Sequence, residues 1–307
     1  MIISASRRTD IPAYYPQWII NRLKDGFVLV PNPYDANRFS RVILTPDVVD
    51  CIVFWTKNPA PLIGELEAIA ALGHRFCFQF TLTPYDKTIE PSLPPKEKLV
   101  ETFKRLGDVI GPHRVVWRYD PVLLDDDFSV QCHIDAFGAL CESLHNHTCR
   151  CVFSYADAYR HLGNTVTALR EDDMHALASA FAKTAGEYGL PLATCAEAID
   201  LERYGIVHGA CIDKTMIENV TGSALDVKKD RNQRPVCGCV ESIDIGTYDS
   251  CPAGCVYCYA TRNPNRARDN RSRHDPRSPL MVGDVRGDEH IDDRLSVSLK
   301  TGQMSLL

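Results

Sequence analysis

Short apolar runs ending in polar or charged residues alternate along most of the chain with stretches in which apolar residues recur every three or four positions. Ile2 to Ser6 is the first run, and Arg7-Arg8-Thr9-Asp10 follows where a buried strand would end. Pro16 to Asp25 then carries the helical period, with proline in the first turn and Gly26 just past the end, as helix termini favour. Strand-like runs recur at Val28 to Val30, Val42 to Leu44, Cys51 to Trp55, Phe76 to Leu82, Val115 to Tyr119, Cys151 to Tyr155, Leu192 to Cys195 and Ser242 to Ile245. Helical patterns cover Leu62 to Leu72, Lys96 to Ile110, Val130 to Leu144 and Glu171 to Tyr188. This alternation predicts a parallel sheet with crossover helices, and about seven or eight strands predict a TIM-like (β/α)8 barrel. An open doubly wound sheet is the alternative, but its phosphate-cradling glycine fingerprint is missing, since Ser4-Ala-Ser-Arg-Arg holds no glycine.

Residues 1–260 read as one barrel domain. In residues 261–307, Arg262, Arg266, Arg268, Arg271 and Arg273 alternate with Asn, Asp and Pro, and few large apolar residues follow. That composition predicts an irregular tail lying over the surface, its arginines solvated.

With 307 residues, 45% of them hydrophobic, the chain can bury one large core. Lys plus Arg number 34 against 40 Asp plus Glu, a net of −6, so no global attraction to nucleic acid or anionic membrane is expected, although a local basic groove remains open. No apolar run approaches the ~20 residues that cross a bilayer. The opening Met-Ile-Ile-Ser-Ala-Ser-Arg-Arg is unlike a signal peptide, which leads us to expect a cytoplasmic protein. In a reducing compartment, thirteen cysteines point to metal or redox chemistry rather than a disulfide scaffold.

Three of the thiols fall in Cys251-Pro-Ala-Gly-Cys255-Val-Tyr-Cys258, with Gly254 placed to let the backbone turn tightly. Four thiolates normally hold a [4Fe-4S] cube, one per iron, so a loop of three leaves one iron open. Cys195, Cys211, Cys237 and Cys239 number four, enough for a fully ligated auxiliary cluster, unless Cys237 and Cys239 are spare thiols. Cys51, Cys77, Cys132, Cys141, Cys149 and Cys151 share no spacing and read as small buried hydrophobes. A zinc knuckle drawn from the five thiols between Cys237 and Cys258 is the competing reading, and the aromatic Tyr257 before the last thiol favours iron-sulfur.

The loop resembles that of the radical S-adenosylmethionine (radical SAM) superfamily, Cys-x3-Cys-x-aromatic-Cys, with Tyr257 in the aromatic slot. The wider run from Cys237-Gly-Cys239 through Ser-Ile-Asp-Ile-Gly246 and Tyr248 to Cys251 resembles an uncharacterised bacterial and archaeal family, a domain of unknown function with such a cluster at its C-terminus. The resemblance spans nearly the whole chain. In the superfamily the loop comes early, whereas here it comes late, which implies a circularly permuted barrel with the N-terminal strand beside the strand ending at Gly246. It further implies a [4Fe-4S] cluster whose open iron chelates S-adenosylmethionine, a 5′-deoxyadenosyl radical acting on an unknown substrate, and a reducing partner such as flavodoxin or ferredoxin. The Gly-Gly-Glu motif of many members is missing.

Strand ends supply the candidate pocket residues. Arg7, Arg8 and Arg118 are the cofactor-binding candidates, because arginine directly after or within a buried strand is costly without a partner. Asp10, Lys57, Asp120 and Glu197 are candidates for substrate or ribose hydroxyls, and each could equally form a rim ion pair. Two other classes stand beside the enzyme reading: a barrel hydrolase or nucleic-acid-processing protein with a structural or redox-sensing cluster, and a zinc-stabilised binding module.

Overall fold

The computed structural model describes residues 1–32, 34–157 and 166–304. In chain order the strands are β1 (Ile2–Ala5), β2 (Phe27–Asn32), β3 (Asp35–Ile43), β4 (Cys51–Thr56), β5 (Phe76–Thr81), β6 (Val115–Val122), β7 (Arg150–Tyr155), β8 (Leu192–Cys195), β9 (Val207–Gly209), β10 (Ser223–Leu225), β11 (Ile243–Asp244), β12 (His290–Asp293) and β13 (Lys300–Met304). The α-helices are α1 (Ile11–Tyr14), α2 (Pro16–Asp25), α3 (Ala60–Ile63), α4 (Leu66–Ala71), α5 (Lys96–Ile110), α6 (Val130–Leu144), α7 (Glu171–Glu187), α8 (Lys214–Thr221) and α9 (Pro264–Ser272).

Eight strands form the main sheet in the order β11-β1-β4-β5-β6-β7-β8-β9, and every ladder in it is parallel. The expected strand count is met. The expected closure is not: among the described residues no ladder joins β9 to β11. The two edge strands hold only three and two residues, too few to pair across the gap. The segment leading from α8 to β11 fills it instead, with the Val240 N–H donating to Ile212 O at 3.1 Å and the Glu241 N–H to Lys228 O at 2.8 Å. β11 does lie beside β1, Ile3 opposite Ile243 and Ser4 opposite Asp244, the neighbour relation that a late cysteine loop required.

Both faces of the sheet are covered, which is why its strands are apolar runs rather than alternating ones. Ile3, Phe54, Phe78, Trp117 and Phe153 face the outer helices in one large core. Ile2, Val53, Cys77, Val116 and Val152 face inward, where Met216, Ile217 and Val220 of α8 pack on them. α8 plugs the inner face below, and polar residues from the same strands line a cavity above.

Two expectations are corrected. Val28 to Val30 and Val42 to Leu44 are not barrel strands but belong to the antiparallel β2–β3 hairpin, which sits in its own sheet with β12. Residues 261–304 are not irregular throughout: between irregular stretches they carry α9, β12 on β3, and β13 on β10. Backbone carbonyls of this segment accept from α2, Trp18 Nε1 to Ser278 O at 3.0 Å and Asn21 Nδ2 to Pro276 O at 2.8 Å. Among the described residues no helix is long and apolar enough to cross a membrane.

Candidate metal centre

A cavity of about 480 Å³ opens at the C-terminal ends of the main-sheet strands, and both cysteine groups singled out in the sequence line it. Parallel strands deliver this arrangement, since their C-terminal loops are free to vary while the strands hold the frame.

The inner group comes from three chain segments. Cys195 ends β8, Cys211 follows β9, and Cys237 and Cys239 lie on the segment that fills the open edge. The Cys195 and Cys211 sulfurs are 2.9 Å apart, and those of Cys195, Cys211 and Cys239 all lie within 4.8 Å of one another. Cys237 lies beside Cys195 and Cys239, outside the set of three; Cys195 lowers its thiol pKa, but Cys239 and burial together push it up. Interactions with Cys195, Cys211 and Cys237 hold the Cys239 thiol far below its usual pKa, and the Arg7 charge adds to this. Cys211 is pushed well up by its contacts with Cys195 and Cys239 and by burial.

Two guanidiniums face this sulfur group. Arg118, buried on β6, donates to Cys211 Sγ and to the Asp120 carboxylate, which Ser154 also hydrogen-bonds. Arg7 donates its Nη1 to Ser242 Oγ at 3.3 Å and lies beside Cys239 and Asp244. Both guanidiniums sit 5.0 Å from the Trp55 ring centroid, one indole serving two cations.

The Cys251 loop forms the opposite wall. Gly254 has φ +74°, the left-handed conformation the sequence called for between Cys251 and Cys255, and a Cβ there would stand 3.2 Å from Pro91 Cγ. The Tyr15 hydroxyl donates to Ser250 O at 2.6 Å, and Thr9 Oγ1 lies 2.5 Å from Ser250 Oγ, tying the loop to the chain after β1. Tyr257 donates to Glu90, whose Oε1 also accepts Lys57 Nζ at 2.8 Å and Thr83 Oγ1 at 3.2 Å, while Lys96 takes Oε2. Burial works to raise the Glu90 pKa, but Lys57 and Lys96 overcome it and bring the group to about 2. Asp10 accepts the Ala13 N–H at 3.0 Å and the Lys57 N–H at 2.7 Å, and burial pushes it up to about 6. Burial likewise pushes Cys255 to about 12, against the opposing Lys57 charge.

The structure therefore brings Cys251, Cys255 and Cys258 to one wall of the cavity and Cys195, Cys211, Cys237 and Cys239 to the facing one. Cys239 is grouped with Cys195 and Cys211 rather than with the Cys251 loop, so the knuckle drawn from Cys237 to Cys258 is not the group the described residues bring together. Cys51, Cys77, Cys141 and Cys151 lie in the cores. Arg7, Arg8, Arg118, Asp10, Lys57 and Asp120 line the cavity, whereas Glu197 stands behind it, accepting the Tyr155 N–H at 2.8 Å.

Sequence reasoning missed Glu90, Lys96 and Asp244. The Asp244 carboxylate accepts from Ser4 Oγ, Ser6 Oγ and the backbone N–H groups of Arg7 and Gly246 at 2.8–3.0 Å. An acid between Ile243 and Ile245 was the available signal. Glu90 sits in a proline-rich loop and gave none.

The sequence model of the family described as Domain of unknown function (DUF1848) matches residues 2–260. No curated protein matches the chain. A solved structure titled a "putative alpha-L-fucosidase", from Bacteroides thetaiotaomicron, is 14% identical over 52% of this chain and 68% of its own, with a TM-score of 0.28. A likeness that slight does not bear on fold or activity.

Proposed function

We propose a function for a chain that belongs to the Domain of unknown function (DUF1848) family: Cys251, Cys255 and Cys258 hold a [4Fe-4S] cluster with one iron free of protein ligands, and the protein is a radical SAM-type enzyme. The observation that carries this reading is the donor set of the loop. Its three thiols line the cavity without forming a group within 4.8 Å of one another, a spread that suits thiolates on separate irons. The nearby carboxylates are already engaged, Asp10 by two backbone N–H groups and Glu90 by two ammonium groups. Neither is left to complete the set.

When bound, such a cluster supplies one electron to the reductive cleavage of S-adenosylmethionine coordinated at its open iron. The chain's own residues bind, orient and exclude water. Glu90 fixes Tyr257, and through it the backbone between Cys255 and Cys258. Arg8, held by the Tyr248 ring 4.8 Å away and by a 3.5 Å bond to Gly246 O, brings a guanidinium fork to the cavity for an anionic group such as a carboxylate. Trp55, Tyr257 and Tyr259 give it aromatic walls that keep water from a radical reaction.

The test is reductive cleavage. Protein purified without oxygen, loaded with iron and sulfide and reduced in the presence of S-adenosylmethionine should release 5′-deoxyadenosine, and Cys255→Ala should abolish the release. Iron-loaded protein that gives no product would overturn the reading in favour of a structural or redox-sensing cluster. Loss of activity with Cys141→Ala, a core thiol, would show that the loop is not specifically responsible.

A further inference from the structure

We propose that Cys195, Cys211, Cys237 and Cys239 bind one mononuclear, tetrahedral divalent ion, best matched by Zn²⁺, that ties together the two edges of the main sheet. This stands independently of the reading of the Cys251 loop.

Spacing is the first argument. Zinc–sulfur bonds of about 2.3 Å place tetrahedral ligand sulfurs ~3.8 Å apart. Three of the four sulfurs, those of Cys195, Cys211 and Cys239, lie within 4.8 Å of one another and one pair is at 2.9 Å, while Cys237 stands outside that set, beside Cys195 and Cys239, and would close in to complete it. An iron-sulfur cube hangs each thiolate on a different iron, so its four sulfurs stand farther apart. The spacing of these three is closer to that of a mononuclear site than to that of the second [4Fe-4S] cluster expected from these cysteines.

Charge is the second. A divalent ion on four thiolates remains net negative, and a buried anion needs compensation. Arg118 donates to Cys211 Sγ, Arg7 lies beside Cys239, and the Ile212 N–H points at Cys239 Sγ at 3.4 Å. Hydrogen-bond donors aimed at ligating sulfurs are what a thiolate metal site surrounds itself with. These contacts give Arg7 and Arg118 a role that the sequence did not suggest.

Topology is the third. Cys195 and Cys211 come from the β8–β9 edge, whereas Cys237 and Cys239 lie on the segment that runs on to β11. An ion held by all four joins edges that no ladder among the described residues joins. Four thiolate ligands, all of them buried, leave no open position, so the role is structural.

The test uses the full chain with Cys251, Cys255 and Cys258 all changed to Ala, which leaves the inner group intact. Produced with both zinc and iron available, this variant should retain one zinc per chain. Exchange for Co²⁺ should give the intense visible bands of a tetrahedral thiolate site. Adding Cys239→Ser should lower the zinc affinity at least tenfold. If that variant does not fold, thiol titration of the triple variant serves instead: four thiols should become reactive for each zinc released by a chelator. Binding of four irons with sulfide at the inner group, or a metal-free variant that melts as the zinc-loaded one does, would overturn the proposal. Zinc retention together with failed S-adenosylmethionine cleavage in the unaltered protein would sink only the reading of the loop.

Discussion

Glu90→Gln tests the account of how the cysteine loop is held. Glu90 is 2% exposed, and its carboxylate joins Lys57, Lys96, Thr83 and Tyr257. The two lysines bring its pKa from 4.5 to about 2 in spite of burial, and that difference corresponds to about 3 kcal/mol of stabilisation at neutral pH. A lowered carboxylate pKa stabilises the fold above the unfolded value, so the contribution is complete above pH 4.5 and disappears as the pH falls to 2. Glutamine keeps the shape but removes the charge, leaving two ammonium groups without their buried partner. Urea unfolding of chelator-treated protein at pH 7 should show a midpoint lowered by about 1 M, for a slope of ~3 kcal/mol/M. The deficit should shrink as the pH falls from 4.5 towards 2, because the unfolded carboxylate takes up its proton in that range while the native one holds off until about 2. A variant within ~1 kcal/mol of the parent at pH 7, or a deficit that does not change with acid, would refute the reasoning.

Three further outcomes follow from single positions. Gly254→Ala forces a side chain into a φ of +74° and towards Pro91, at a cost of about 1–2 kcal/mol; iron bound by the loop should fall while zinc at the inner group is unchanged, as metal analysis would show. Gly246→Ala places a Cβ 2.0 Å from Ser6 Oγ, which already donates to Asp244 at 2.8 Å; a loss of about 3 kcal/mol should lower the melting temperature by several degrees. Burial raises Glu197 from 4.5 to about 7, so its charged form burdens the fold increasingly as the pH rises from 4.5 to 7; Glu197→Gln should stabilise by about 2 kcal/mol at pH 8 and by almost nothing at pH 4.5, read by denaturant melts at both.

The main sheet was legible because strands buried on both faces are written as unbroken apolar runs, as at Cys51 to Trp55 and Phe76 to Leu82. β9 was not, since Val207 and His208 are exposed and only three residues long with Gly209. β2 and β3 carry the same apolar signal as the parallel strands, and only pairing partners distinguish a hairpin from a barrel edge. The tail misled because its order comes from contacts made elsewhere: α2 supplies the donors that its carbonyls accept. At the site, cysteine counting identified both thiol groups, since their cysteines cluster in sequence or follow strand ends while the other six share no spacing. The arginines showed in the sequence only as charges at strand ends, with nothing to reveal that Arg7 and Arg118 would turn towards sulfur.

The pairing of β1 with β11 has a consequence for how the protein is made. Ser4 and Asp244 meet across 240 residues, so β1 keeps one backbone edge unpaired during synthesis until nearly the whole sheet exists. The last thiols of both groups, Cys239 and Cys258, emerge late as well. The metal loading proposed above would then be a finishing step on an almost complete scaffold. A cell that synthesises the chain faster than it supplies metal should accumulate molecules with an unsealed sheet edge, whose fate is self-association rather than slow maturation.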